Sequence, residues 1–163
     1  MLDLQKIALE CMEELDAIGI EYGNVIEFEI NTRAQRRWGQ CRAIPGGYSI
    51  NISIRLLQDE KARKGLKETI LHELAHTCKG CMNHGAEWKR IVAKINKAYG
   101  YNIKRTNSAE DKQVESLPIE AYRHKVVCCG CGKEVYKMRE CSITQYPQLW
   151  KCGKCGSNFK RVY

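Results

Sequence analysis

The sequence predicts an α+β protein in which a small antiparallel or mixed sheet packs against helices and a small β module follows. Three observations support this fold class. Helical and strand-like apolar patterns occupy the chain up to residue 105, residues 106–121 are polar and aperiodic, and the last segment is rich in cysteine, glycine and lysine. A chain of 163 residues can form one domain with a substantial core and a smaller second one. We therefore expect domains at 1–105 and 122–163, joined by a linker at 106–121.

The first elements follow from the spacing of apolar residues. These residues recur at helical intervals from position 4 to position 18, and Gly19 ends the helix. Residues 25–31 (VIEFEIN), 37–44 (RWGQCRAI) and 47–54 (GYSINISI) show strand-like patterns, with a Pro-Gly-Gly turn between the second and the third. The third run alternates strictly, so we expect a strand with one buried face and one open face.

Two more helices are expected, over residues 61–77 and 85–99, and Gly100 ends the second. In the first of these helices, four aliphatic side chains should face inward: Leu66, Ile70, Leu71 and Leu74.

Composition and charge limit the classes of function. No apolar run approaches the ~18 residues of a membrane span, and acidic residues interrupt the apolar N-terminal positions, so we expect a cytoplasmic protein without a membrane partner. The net charge is +8; residues 1–30 contribute one Lys and eight acids, or −7, which leaves +15 for residues 31–163. A basic body suggests a polyanionic partner such as DNA, whether single- or double-stranded, although solubility alone accounts for the charge equally well.

The stretch LHELAHTCKGCMNHGAEWK, residues 71–89, contains three of the four histidines. His72 and His76 are four residues apart on a predicted helix, so both rings project from one face and can share one metal ion. Glu73 lies about 100° around the helix from His72, beside the metal rather than on it. That is the position of a general base that deprotonates a metal-bound water.

His84 is the candidate third ligand, because a catalytic zinc needs three protein ligands and an open position. Eight positions after His76 leave room for the chain to return to the metal, although His84 can also simply cap the third helix. Cys78 and Cys81 form a CxxC pair that could bind zinc or form a disulfide. Two added thiolates would close the site, so we expect these cysteines to shape the loop, with a redox-sensing role as the alternative.

The C-terminal segment contains two CxxCG motifs, with ligand candidates Cys128, Cys131, Cys152 and Cys155. Since six of the ten cysteines lie in CxxC pairs, metal binding is favoured over disulfides, and these four predict a structural zinc site. Cys129 could replace Cys128 in a shifted register, but the symmetry of the motifs favours Cys128. Nearby lysines, arginines and aromatic residues would suit DNA contact. For Trp150 we favour a place in the core of the module.

Residues 20–105 resemble the SprT-like metallopeptidases through RRWGQCR, GYSINISIRLL and HELAH…NHGAEWK, in that order. The resemblance implies a zincin-like zinc protease domain, related to those that degrade proteins crosslinked to DNA. It extends to the C-terminal module, since many members carry a zinc ribbon of this form.

These observations together predict a zinc endopeptidase with two zinc ions, a protein substrate and a DNA partner. The strand at residues 48–54 is a candidate for aligning an extended substrate backbone by strand addition. Two alternatives stay open: a protease that cleaves one regulator, such as a repressor, independently of DNA, and a non-catalytic zinc protein that binds nucleic acid.

Overall fold

The computed structural model describes residues 1–34 and 36–163. The described residues form two compact units, Met1–Ser116 and Leu117–Tyr163. Both combine helices with a small sheet, which confirms the α+β fold class. The elements of the first unit are α1 (Leu4–Ala17), β1 (Val25–Asn31), β2 (Gly39–Ile44), β3 (Gly47–Ser53), α2 (Arg63–Thr77) and α3 (Ala86–Tyr99). Those of the second are β4 (His124–Cys128), β5 (Glu134–Lys137), α4 (Ser142–Gln145) and β6 (Phe159–Arg161). No helix among the described residues has the length and apolar character to cross a membrane.

The sheet of the first unit has the strand order β1-β3-β2, with β1 parallel and β2 antiparallel to β3. The tight turn between β2 and β3 requires Gly46, whose φ is +87°. Because β3 is hydrogen-bonded on both sides, it has no free backbone edge. The expectation that residues 48–54 align a substrate by strand addition is therefore wrong; the edges of the sheet belong to β1 and β2.

Helix α2 packs against the sheet and between the other helices. The aliphatic side chains that were expected to face inward, Leu66, Ile70, Leu71 and Leu74, are all fully buried. The two glutamates of α2, Glu68 and Glu73, are buried as well. Burial on several faces makes α2 the central helix of the unit, so its side chains hold fixed positions.

Helix α1 is tied to α2 by charged groups as well as by its apolar face. Arg63 Nη2 donates to both carboxylate oxygens of Glu10, at 2.8 and 2.9 Å. Lys67 pairs with Glu14, and the hydroxyl of Tyr101 donates to that same carboxylate at 3.1 Å. These contacts account for two of the acidic residues of the first helix, Glu10 and Glu14, without a partner molecule.

Residues 106–116, which the sequence assigned to a linker, lie within the first unit. The indole N–H of Trp38 donates to the carbonyl of Asn107 at 3.1 Å. Lys112 is 2 % exposed, and its Nζ lies 3.4 Å from Glu68 Oε2. A polar segment that is fixed by one buried ion pair has no apolar periodicity, so its sequence resembles that of a linker.

The second unit is a three-stranded antiparallel sheet with the order β5-β4-β6. Its buried core consists of Val126, Phe159 and the two cysteines Cys128 and Cys152. Trp150 is 46 % exposed, so its expected place in this core is wrong. The small interior is filled without it.

Candidate metal centre

Three imidazole rings converge at the C-terminal half of α2. His72 and His76 project from one face of that helix, and His84 lies just before α3. The Nε2 atom of His84 is 3.0 Å from Nε2 of His72 and 3.2 Å from Nε2 of His76. The ligand atoms of all three rings lie within 4.8 Å of one another, so this group can hold a metal ion.

In two of the rings, those of His72 and His76, the opposite nitrogen is fixed by a backbone carbonyl. His72 Nδ1 donates to the carbonyl of Lys104 at 3.0 Å, and His76 Nδ1 donates to the carbonyl of Cys81 at 2.7 Å. A carbonyl only accepts, so Nδ1 carries the proton and Nε2 keeps its lone pair for a metal. Cys81 thus orients a ligand through its backbone, while neither its thiol nor that of Cys78 belongs to the ligand group.

The donor set fits zinc. Zn–N bonds of 2.0–2.1 Å in tetrahedral geometry place two ligand nitrogens roughly 3.3 Å apart, close to the separations seen here. In two of the rings, those of His72 and His84, the neutral form that ligation needs is favoured. Burial, followed by the charges of His76 and His84, lowers the pKa of His72 to about 3. Burial, His76 and Arg105 lower the pKa of His84.

Trp88 of α3 is the packing partner of all three rings. Its ring centroid lies 4.8 Å from that of His72, 5.6 Å from that of His76 and 4.5 Å from that of His84. The side chain is 3 % exposed. Its indole N–H is buried without a hydrogen-bond partner among the described residues. One rigid side chain therefore restricts the orientation of the whole ligand group.

Glu73 lies beside the histidines and faces the start of β2. Burial raises the pKa of Glu73 to about 7, while a hydrogen bond from the backbone N–H of Cys41 and the charges of Arg37 and Lys112 act in the opposite direction. A Cβ atom at Gly39 would lie 2.6 Å from Glu73 Oε1, so only glycine fits there without displacing the carboxylate. The first residues of β2 thus form a close-fitting cradle for this group.

An open cleft of about 220 Å³ lies next to His72 and Glu73. Among the described residues that line it, Glu73 is the only carboxylate, whereas four side chains are basic: Arg36, Arg37, Arg105 and Lys112. The site therefore combines a three-nitrogen ligand group, a buried carboxylate and a basic channel to solvent.

The four predicted cysteines of the second unit also converge. Cys128 Sγ lies 3.3 Å from Cys155 Sγ, and Cys131 Sγ lies 3.7 Å from Cys152 Sγ. All four sulfurs lie within 4.8 Å of one another, and Cys129 is outside the group. Zn–S bonds of 2.3 Å predict sulfur separations of roughly 3.8 Å in a tetrahedral site.

The turns around these sulfurs repeat one geometry. In each motif the glycine after the second cysteine has a positive φ, +69° at Gly132 and +75° at Gly156, and its N–H bonds the carbonyl of the first cysteine. Backbone N–H donors stabilise the thiolates of Cys152 and Cys155 and lower the pKa of both. A hydrogen bond from the Ser157 backbone, with further donors, lowers the pKa of Cys155 to about 6. This cysteine cluster fits a zinc ribbon.

Each residue that the sequence proposed as a ligand lies in one of these two groups, with Glu73 beside the first. The sequence did not identify Gly39, Trp88, Lys104 or Arg105 as parts of the site. Trp88 had one available signal, since it lies four residues after His84 at the start of a helix. Lys104 acts through its backbone carbonyl. Since every residue has one, the residue type gives no signal of this role.

The sequence model of the SprT-like family matches residues 8–107, which is more than half of the chain. That range includes α1 from residue 8 onward, the first sheet, α2, α3 and the three histidines. No curated protein matches the chain significantly.

Proposed function

The chain belongs to the SprT-like family, and from this premise we propose that it is a zincin-like, zinc-dependent endopeptidase that acts on proteins bound or crosslinked to DNA. The observation that carries the proposal is the convergence of three imidazole Nε2 atoms beside one buried carboxylate at an open cleft. A purely structural metal site would have four protein ligands and no opening.

In this proposal His72, His76 and His84 hold one zinc ion. When bound, the ion supplies a Lewis acid that activates water and polarises the substrate carbonyl. Glu73 accepts the proton of the attacking water and delivers it to the amine of the departing product. A carboxyl pKa near 7 suits both tasks, because the group then exists in either protonation state at neutral pH.

A second zinc ion, held by the four cysteines, would stabilise the ribbon. The segment from Leu117 to Tyr163 contains nine Lys or Arg residues and three Glu, a net charge of +6. Tyr146 and Trp150 are 54 % and 46 % exposed, which is the environment expected for side chains that stack on unpaired bases. These features support DNA as the partner that brings the protease to its substrates.

Leu149, 74 % exposed between those aromatic residues, supports a second candidate function. An exposed apolar patch of this kind also suits a protein partner. In that case the ribbon would dock one specific regulator, and cleavage would not depend on DNA.

The test is proteolysis by the wild-type protein and by the Glu73→Gln variant, each with and without single- and double-stranded DNA. We expect DNA-stimulated cleavage by the wild type. The variant should retain its zinc but lose about 10²- to 10⁴-fold in rate, since only the proton acceptor is removed. Glu13→Gln, an exposed change on α1, is the matched control. Equal rates for wild type and Glu73→Gln would refute the catalytic role, and DNA-independent cleavage would favour the regulator.

A further inference from the structure

We propose that Arg37 and Arg105 form a carboxylate-binding subsite beside the three histidines, so that the cleft selects acidic segments of its protein substrate. This inference rests on the proposed peptidase function and adds a substrate class to it. It comes from the geometry and charge of the cleft, to which both arginines contribute lining atoms.

The two arginines come from segments that are fixed to each other. Arg37 directly precedes Trp38, whose indole N–H donates to the carbonyl of Asn107, two residues after Arg105. On the other side of Arg105, the carbonyl of Lys104 accepts from His72 Nδ1. The backbone of Arg105 is thus anchored on both sides, once to a ligand histidine and once to the wall of the cleft.

Both guanidinium charges act on the centre of the site. The charge of Arg37 opposes the upward pKa shift of Glu73, and that of Arg105 contributes to the lowered pKa of His84. The two arginines thus lie close enough to the centre of the site to act on different groups, Arg37 on the carboxylate and Arg105 on the third histidine. Neither forms an ion pair with another described residue.

The cleft offers no internal anion that would neutralise these charges. Among the described lining residues Glu73 is the only carboxylate, and it is buried against β2. Lys112, the buried cation of the cleft, is already paired with Glu68. A substrate group that approaches Arg37 and Arg105 thus meets uncompensated positive charge, which favours a carboxylate and disfavours lysine or arginine.

Such a carboxylate has two sources, an Asp or Glu side chain next to the scissile bond or the free C-terminus of the substrate. A binding assay with the full-length, zinc-loaded Glu73→Gln variant separates them without requiring hydrolysis. The probes are fluorescent ten-residue peptides of one backbone sequence. Three are blocked at both ends and carry Glu, Gln or Lys at the central positions, and a fourth is the Gln peptide with a free C-terminus.

We expect the blocked Glu peptide to bind roughly 10-fold more tightly than the Gln peptide, as for a charge-assisted hydrogen bond, and the Lys peptide to bind most weakly. Adding Arg37→Gln or Arg105→Gln should reduce the difference in affinity between the Glu and Gln peptides, and both changes together should abolish it. Arg33→Gln is the matched control, because Arg33 belongs to the same basic run but does not line the cleft. A preference for the free C-terminus would assign the subsite to a terminal carboxylate.

Three results would overturn the proposal. The first is equal binding of all peptides. The second is a preference for Glu that survives the double change and so arises from the basic surface elsewhere. The third is displacement of the Glu peptide by an oligonucleotide that itself loses affinity in both arginine variants, since the arginines would then bind phosphate. Because the assay measures binding alone, an absence of proteolysis in the separate Glu73 test would leave these results interpretable.

Discussion

The two metal groups of this protein differ in what surrounds them. The three histidines lie on a unit whose sheet and helices bury a core of more than twenty residues, and Nδ1 of His72 and of His76 is fixed by a backbone carbonyl of the same fold. The four cysteines belong to a unit with four buried core residues, two of which are themselves ligands. The first fold therefore positions its ligand group through its own packing, whereas we expect the second to depend on bound metal for its stability. This difference separates a site that can remain open for chemistry from one that must be closed for stability.

Replacing Cys152 with serine should produce the largest effect, because zinc binding to a structural site supplies about 10–16 kcal/mol of apparent folding free energy. We expect the ribbon to unfold while the first unit keeps its structure. Loss of dispersed amide signals from residues 117–163 alone, in NMR spectra, is the measurement. Cys129→Ser, outside the ligand group, should leave the spectrum intact. A ribbon that stays folded after the Cys152 change would show that this unit does not depend on its metal.

Replacing His84 with alanine is the reciprocal experiment. We expect elemental analysis to fall from about two zinc equivalents to about one, together with loss of peptide hydrolysis. Without metal, the first unit of this variant should unfold within a few degrees of the metal-free wild-type unit, since His84 is partly exposed and outside the core. Collapse of the first unit would show that it too depends on its metal.

The salt dependence of DNA binding, together with removal of the second unit, should show which unit binds DNA through its positive charge. For ~6 phosphate contacts, DNA affinity should fall on the order of 10³-fold between about 50 and 200 mM salt. A chain that ends at Ser116 should keep one zinc and basal proteolysis but lose most DNA binding and stimulation. Ser116 is the appropriate end, because the Lys112–Glu68 pair then stays intact. If the full-length protein bound neither single- nor double-stranded DNA at low salt, the proposal that DNA recruits the protease would be refuted.

Replacing Trp88 with leucine should have the smallest of these effects, and it tests how far the first fold supports its ligands. We expect zinc affinity to weaken roughly 10- to 100-fold, as for other residues that orient ligands from behind. Trp88→Phe should weaken it less, because a ring still packs against the histidines. The measurement is competition with a chelator. Ile95→Ala, which removes core volume from the same helix, should lower stability without a comparable change in zinc affinity.

The sequence alone identified the features that depend on short-range spacing. His72, His76 and Glu73 follow from one helical turn, and the cysteines follow from two local knuckles. His84 follows from the need for a third ligand and from its position eight residues after His76, so residue type and spacing were sufficient to group these residues. The buried aliphatic face of α2 was predictable for the same reason.

The remaining features depend on contacts between distant residues. Lys112 is buried as the ion-pair partner of Glu68. The two residues are 44 positions apart in the sequence, so no local pattern marks the pair. The central place of β3 follows from strand order, which alternation of side chains does not encode. Trp150 was misplaced because the same residue type serves both cores and exposed binding surfaces.

The contact of one indole with three imidazoles also has a spectroscopic consequence. Of the three tryptophans, Trp88 is almost fully buried and Trp150 is largely exposed, so their emission maxima should be separable. Cobalt(II) in the histidine group would absorb energy from Trp88, whose ring lies 4.5–5.6 Å from its ligands. The protein thus contains its own optical reporter, and quenching of the blue-shifted emission would follow metal exchange at this site in real time without any added label.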